Sequence, residues 1–460
     1  MRGFLASSIG VTCAAALALP LTLPSSGARA ATPGAPSAAG PAAEAVPGST
    51  QSLPLTPLGS DRSLGSAGAG EQGLARRDVR PFSLVGVVWN DPEAELHGTV
   101  QVRTRATGTT TWSGWQNVET HNHEHAADPG TPERAAGAVR GSTAPLWVGD
   151  SDGVELRVRA ERTGSTDRAA TAPEGLLPEG LLPEGMHLEL VDPGDEAPPQ
   201  GPQAEVPRAT ALSAASAAAS AVNADLAPIG APVIPELTKK QTEDDLIAAR
   251  GGPPAKARPF VGPRPRIITR KGWGADEKLR EKDFAYTKTV KAAFVHHSAS
   301  GNNYRCAEAG AVLRSIYRFH VKSSGWRDFG YNFAVDRCGN IYEGRAGGVA
   351  KPVLGAHTLG FNTDSMGIAV LGTYSNSTPP KAAVNAVARL TAWKLGLYGA
   401  NPRGTTYLKS GGGNLYTKGK NVRLNVISGH RDGFATECPG SRLYGKLGKA
   451  RSTSARFQGR

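Results

Sequence analysis

The stretch YNFAVDRCGNIYEGR (331–345) constrains the fold more than any other part of this 460-residue chain. Phe333 and Val335 alternate with Asn332 and Ala334, which is the period of a strand. DRCGN then supplies a turn and IYEG a second short strand, so the stretch predicts a hairpin-like unit. Three further segments are expected to converge on it: FVHHSA (294–299), GAHTLGFNTDSMGIAVLG (355–372) and SGHRDGFATECPG (428–440). Between them they carry most of the histidine in the second half of the chain and one cysteine.

Around this unit the pattern predicts strands over 292–297, 331–336, 341–343, 353–357, 367–371 and 424–428. It predicts a helix over 306–322, with Ala309, Val312, Leu313, Ile316 and His320 on one face. A second helix follows Thr378-Pro379, with Val384, Val387, Leu390 and Trp393 facing inward. Such alternation argues for an α/β domain over 263–450, one mixed β-sheet flanked by helices, followed by a basic tail at 451–460.

Upstream, Arg2, an apolar run over 11–23 and Ala28-Arg29-Ala30 have the order of a secretory signal over 1–30. Pro20 and Pro24 interrupt the run, which is short for a membrane span. The mature chain is therefore expected to be secreted, extracellular or cell-wall associated, with no transmembrane segment. Residues 31–78 are rich in Ala, Pro and Gly and predict disorder. FSLVGVVW, GTVQVRTR, GVELRVRA and MHLELV then read as strands of a small all-β N-terminal module over 79–192, its role unread. Inside it, PEGLLPEGLLPEG (173–185) reads as a loop expansion. HNHEH (121–125) reads as a solvated polar tract, because no sequence neighbour completes a metal site. Residues 193–262 read as a Pro/Ala-rich linker whose Ala tract lacks an apolar stripe to dock.

Charge is divided unevenly. From Val261 onward 32 Lys and Arg face 11 Asp and Glu, whereas the first 260 residues hold 20 and 29. A basic half on an acidic half points to an anionic partner. No nucleic-acid-binding motif accompanies the charge, so anionic cell-wall polymers fit better than nucleic acid. Cys13 falls within the signal, Cys306 and Cys338 are a candidate disulfide, and Cys438 is left over as a candidate ligand.

His430 and Cys438 flank a loop after the last strand and can fold back on one ion. A third ligand from His296 or His297 fits, and only one of that pair can face a metal because strand residues alternate. Zinc hydrolases keep three protein ligands and leave a fourth position for water.

With these segments together, RPRIITRKGWGAD (264–276), FVHHSA, GWRDFGYNFAVDRCGNIYEGR (325–345), GAHTLGFNTDSMGIAVLG and GHRDGFATECPG, the region 264–448 resembles the peptidoglycan recognition proteins. It is equally similar to the related N-acetylmuramoyl-L-alanine amidases. The resemblance implies Zn2+ held by His296, His430 and Cys438. Tyr331 and Thr436 would stabilise the oxyanion, and His357 and Asn362 would line the groove for peptidoglycan muropeptides; Arg345 is read either as a contact to the stem peptide or as half of a surface ion pair. The implied reaction is metal-assisted hydrolysis of the amide between the lactyl group of N-acetylmuramic acid and L-alanine; the alternative is a non-catalytic peptidoglycan-binding protein. Thr436 matches catalytic recognition proteins, where phage amidases carry Lys. Residues 79–192 look like the N-terminal region of exported actinobacterial members.

Overall fold

A computed structural model of the protein describes residues 47–58, 70–161, 182–195, 213–252 and 259–460. The expected signal, much of the 31–78 tract and most of the PEGLL repeat lie outside the described residues.

The N-terminal module is one eight-stranded antiparallel sheet. Its strands are β1 (Pro47–Pro54), β2 (Thr56–Pro57), β3 (Glu71–Trp89), β4 (Gly98–Ala106), β5 (Gln116–Val118), β6 (Gly141–Ser142), β7 (Leu146–Ala160) and β8 (His187–Gly194). The main order is β1-β8-β3-β7-β4-β5, with β2 and β6 also pairing with β3. The second half of β3 is apolar on both faces, as strands covered on both sides are. Val85, Val87 and Trp89 join Val100, Val158 and Leu190 in the module's own core. Leu84 and Val88 turn the other way, onto a helix of the second domain.

That domain begins earlier than the sequence suggests. The segment expected to be a linker carries α1 (Ala214–Ala221), β9 (Val233–Ile234) and α2 (Lys239–Ala249). The Ala tract docks through polar groups, not a stripe. Asn223 just beyond it donates to Glu343 Oε1 at 2.8 Å and accepts from the Val349 N–H at 2.9 Å. The elements that follow are β10 (Ile267–Ile268), β11 (Ala292–His297), α3 (Ala309–Arg318), β12 (Phe333–Val335), β13 (Ile341–Glu343), β14 (Ser365–Val370) and α4 (Lys381–Leu397). A hairpin of β15 (Thr405–Lys409) and β16 (Asn421–Asn425) precedes β17 (Ile427–Gly429), α5 (Ser441–Tyr444) and α6 (Leu447–Gln458). The central sheet runs β17-β11-β14-β12-β13-β10-β9 and is mixed.

One face of the sheet packs Val295, Val335 and Ile368 against Val384, Val387, Leu390 and Trp393 of α4. The expected basic tail belongs to α6 on this side: Ser454 and Gln458 are buried, and Ser454 meets Thr391 at 3.0 Å. The other face is covered at one end by α3 and at the other by the β15–β16 hairpin, which seals Phe294 and Phe361. The expected strand at 353–357 is reduced to one bridge between Val353 and Tyr286. The chain turns in there to bury His357, and Gly355 and Gly367 leave room for its ring: a Cβ on either would lie about 2.5 Å from it. Cys306 and Cys338 are bonded, tying the start of the α3 region to the β12–β13 turn.

Between the two domains α3 is shared. Val312, Ile316 and Phe319 pack under Leu84, Val88 and Val191 of the β module. Gly86 is required there, because a Cβ would sit 2.4 Å from the Phe319 ring. Glu189 of β8 accepts from the buried Ser323 hydroxyl at 2.9 Å.

Candidate metal centre

β11 and β17 are parallel neighbours, and both end at the same edge of the sheet. His296 leaves β11 on the α3 face. His297, one residue on, points away, and its Nδ1 accepts from the Tyr374 N–H at 3.2 Å. His430 follows β17 directly, and Cys438 returns on the loop after it. His296, His430 and Cys438 are all buried, and the structure brings them together.

A fourth residue joins them that sequence reasoning passed over. His125, from the loop between β5 and β6, places a ring nitrogen in the same cluster; the four ligand atoms all lie within 4.8 Å of one another. The HNHEH tract is therefore not a solvated loop: His125 and Glu124 are buried in the second domain's cleft. The only sequence signal was the density of His and Glu itself. Its partner His430 lies 305 residues away, beyond the reach of any local pattern.

The spacings suit a small tetrahedral ion. With Zn–N near 2.05 Å and Zn–S near 2.3 Å, tetrahedral edges are about 3.3 Å for N–N and about 3.6 Å for N–S. Here His430 Nδ1 lies 3.2 Å from His125 Nε2, and Cys438 Sγ lies 3.7 Å from His296 Nδ1. The far nitrogen of His296 meets Thr358 Oγ1 at 3.3 Å, which orients the ring as ligand partners do. Burial pushes His125, His296 and His430 below the ordinary imidazole range, so they are neutral, as ligands must be. Burial likewise pushes the Cys438 thiol well up, so a thiolate there needs a cation beside it.

The other expected site residues border this cluster. The Tyr331 ring lies 5.2 Å from that of His296, and burial holds its phenol well above 10 and protonated. Thr436 accepts from the Cys438 N–H at 3.1 Å and donates to Glu124 Oε1 at 2.7 Å. His357 stands 5.3 Å from His296 between ring centres, and burial lowers it to about 3. Asn362 braces the 357–358 backbone through Oδ1, while its amide donates to Ala126 O at 2.8 Å and Asp128 Oδ1 at 2.6 Å. Arg345 forms a bidentate pair with Glu133 at 2.7 and 2.8 Å. His320 stacks on Trp326 at 4.4 Å and lies outside the cluster.

A mixed α/β sheet with a disulfide-tied hairpin carries, at its strand ends, a buried cluster of three His and one Cys that could hold a metal ion. Residues 286–441 match the family model N-acetylmuramoyl-L-alanine amidase, and residues 36–176 match Rv3811 N-terminal galactose-binding domain-like. Peptidoglycan-recognition protein SC2 of Drosophila melanogaster is 30% identical over 183 residues, covering 39% of this chain and 84% of the relative. Peptidoglycan-recognition protein SC1a of the same organism is 34% identical over 155 residues, covering 34% of this chain and 70% of the relative. The solved structure of Drosophila PGRP-LB is 27% identical and covers 39% of this chain and 91% of that chain, with a TM-score of 0.31. The chain belongs to the peptidoglycan recognition protein family, whose members here cover 39% and 34% of it. It stands among peptidoglycan amidases and recognition proteins. No described helix is long and apolar enough to cross a membrane.

Proposed function

We propose that the chain is a secreted, zinc-dependent N-acetylmuramoyl-L-alanine amidase that releases the stem peptide of peptidoglycan at L-alanine. The observation that carries this is Cys438 Sγ lying with His296 and His430 in one buried cluster of zinc-sized spacings. His296, His430 and Cys438 would hold the ion, which when bound supplies a Lewis acid and an acidified water. Tyr331 stays protonated and can donate to the developing oxyanion, and Thr436 offers a second, uncharged donor. Asn362 and Arg345 donate here to Ala126 O and Glu133, and would offer those donors to amide and carboxylate groups of a muropeptide once the 119–140 loop is displaced. The basic second domain favours an anionic wall. Secretion rests on the N-terminal pattern of Arg2, the apolar run and Ala28-Arg29-Ala30.

A non-catalytic peptidoglycan-binding role is the second reading, favoured by the fourth imidazole, His125, standing where a water is needed. The test measures zinc content and mass spectra of products from purified wall, using the wild-type chain and a His125→Ala variant in parallel. About one zinc per chain, with free stem peptides beginning at L-Ala that vanish on chelation, is expected of the variant. Bound zinc with no release from either protein would leave only the binding role.

A further inference from the structure

We propose that residues 119–140 of the β module are a built-in plug that closes the metal centre and fills the muropeptide groove, holding the protein latent. This rests on the zinc reading above. A catalytic zinc keeps one position open, whereas four protein ligands make a closed, structural site. His125 supplies the fourth, its Nε2 3.2 Å from His430 Nδ1.

The rest of the loop occupies the groove group by group. Glu124 takes the Thr436 hydroxyl at 2.7 Å, and its backbone carbonyl takes the Leu359 N–H at 2.9 Å. Asp128 takes the Gly360 N–H at 2.8 Å and the Asn362 amide at 2.6 Å. Glu133 takes Arg345 through both oxygens and the Arg327 N–H at 3.3 Å. Ala126 packs with Leu359 and Phe434. Three carboxylates and two carbonyls, Glu124 O and Ala126 O, thus satisfy the donors that a peptide bearing amides and carboxylates would use. The acidic half of the chain is the first anionic partner of its basic half. Access to the metal and groove then requires only that this loop lift, since β5 and β6 at its ends are short edge elements and both cores lie elsewhere.

Two measurements on the full chain test this without turnover. Cobalt(II) in place of zinc reports the coordination sphere by its visible bands. The wild-type spectrum is expected to ignore added azide, whereas His125→Ala should shift with it. The wild-type measurement stands alone even if the variant does not fold: an azide-sensitive wild-type site overturns the plug. Second, metal-free protein is titrated calorimetrically with a disaccharide tetrapeptide carrying lysine or diaminopimelate at its third residue. A loop lifted in about 1% of molecules weakens apparent affinity about 100-fold, so Glu133→Ala should bind about that much tighter. Equal affinities overturn the proposal. Tight binding by Glu133→Ala with no stem peptide released by the zinc form of a His125→Ala/Glu133→Ala double variant leaves the plug intact and removes the amidase reading instead.

Discussion

Glu133 is where the loop is fastened most firmly, and Glu133→Ala measures that fastening. Its bidentate pair with Arg345 lies between side chains only 8% and 6% exposed. Burial raises a carboxyl, but the adjacent guanidinium more than offsets that, holding Glu133 below the ordinary range and ionised. Deleting one partner of such a pair costs about 3–5 kcal/mol, because the other charge stays buried. The variant has a less costly response: the loop lifts and Arg345 meets water. The penalty therefore falls on the docked loop and not on either sheet. At about 1.4 kcal/mol per decade, the opening equilibrium rises by about two to three and a half orders of magnitude. Amide hydrogen exchange reads this residue by residue. In metal-free protein the Leu359 and Gly360 N–H groups, bonded to Glu124 O and Asp128 Oδ1, should accelerate up to the ceiling of about 100-fold that a loop lifted in about 1% of molecules allows, while β11 and β14 keep their protection. Unchanged exchange at Leu359 and Gly360, or equal acceleration in β11, refutes the reasoning.

Two further outcomes concern the scaffold. Buried Glu343 is pushed up to about 7 by burial, against the opposing hydrogen bond from Asn223. A raised carboxyl adds stability fully present below its unfolded value near 4.5 and lost as pH rises through 7, by up to about 3 kcal/mol. Urea unfolding of the wild type should show that loss between pH 4.5 and 7, and Glu343→Gln should lack the slope; matching slopes would assign it to other groups. Gly86→Ala drives a methyl against the Phe319 ring and should cost about 1–3 kcal/mol at the α3 interface. A melting temperature unchanged from the wild type would mean that the β module does not press on α3.

Much of the second domain was legible because its signals are local. Alternation in AAFVHH set β11 and decided that His296 and His297 part ways, and the inward face of α4 follows from its apolar spacing. The 193–262 segment was misread because α1 docks through Asn223 and backbone groups, which leave no periodic stripe. The tail at 451–460 was misread because Ser454 and Gln458 are buried against α4 by hydrogen bonds, not by apolar bulk. The 47–54 stretch became β1 by main-chain pairing with β8, which composition does not encode.

The sequence by itself determined the two sheets' characters and named the candidates: Cys306 and Cys338 for a bridge, and His430 and Cys438 with His296 or His297 for a shared ion. Each depends on residue type and short-range period. Tertiary structure alone decided that the cleft is occupied, and by what. Contacts such as His125 with His430, or Glu133 with Arg345, join residues 305 and 212 positions apart. Their energy exists only once two independently patterned sheets have docked across α3, so no window of sequence holds both partners.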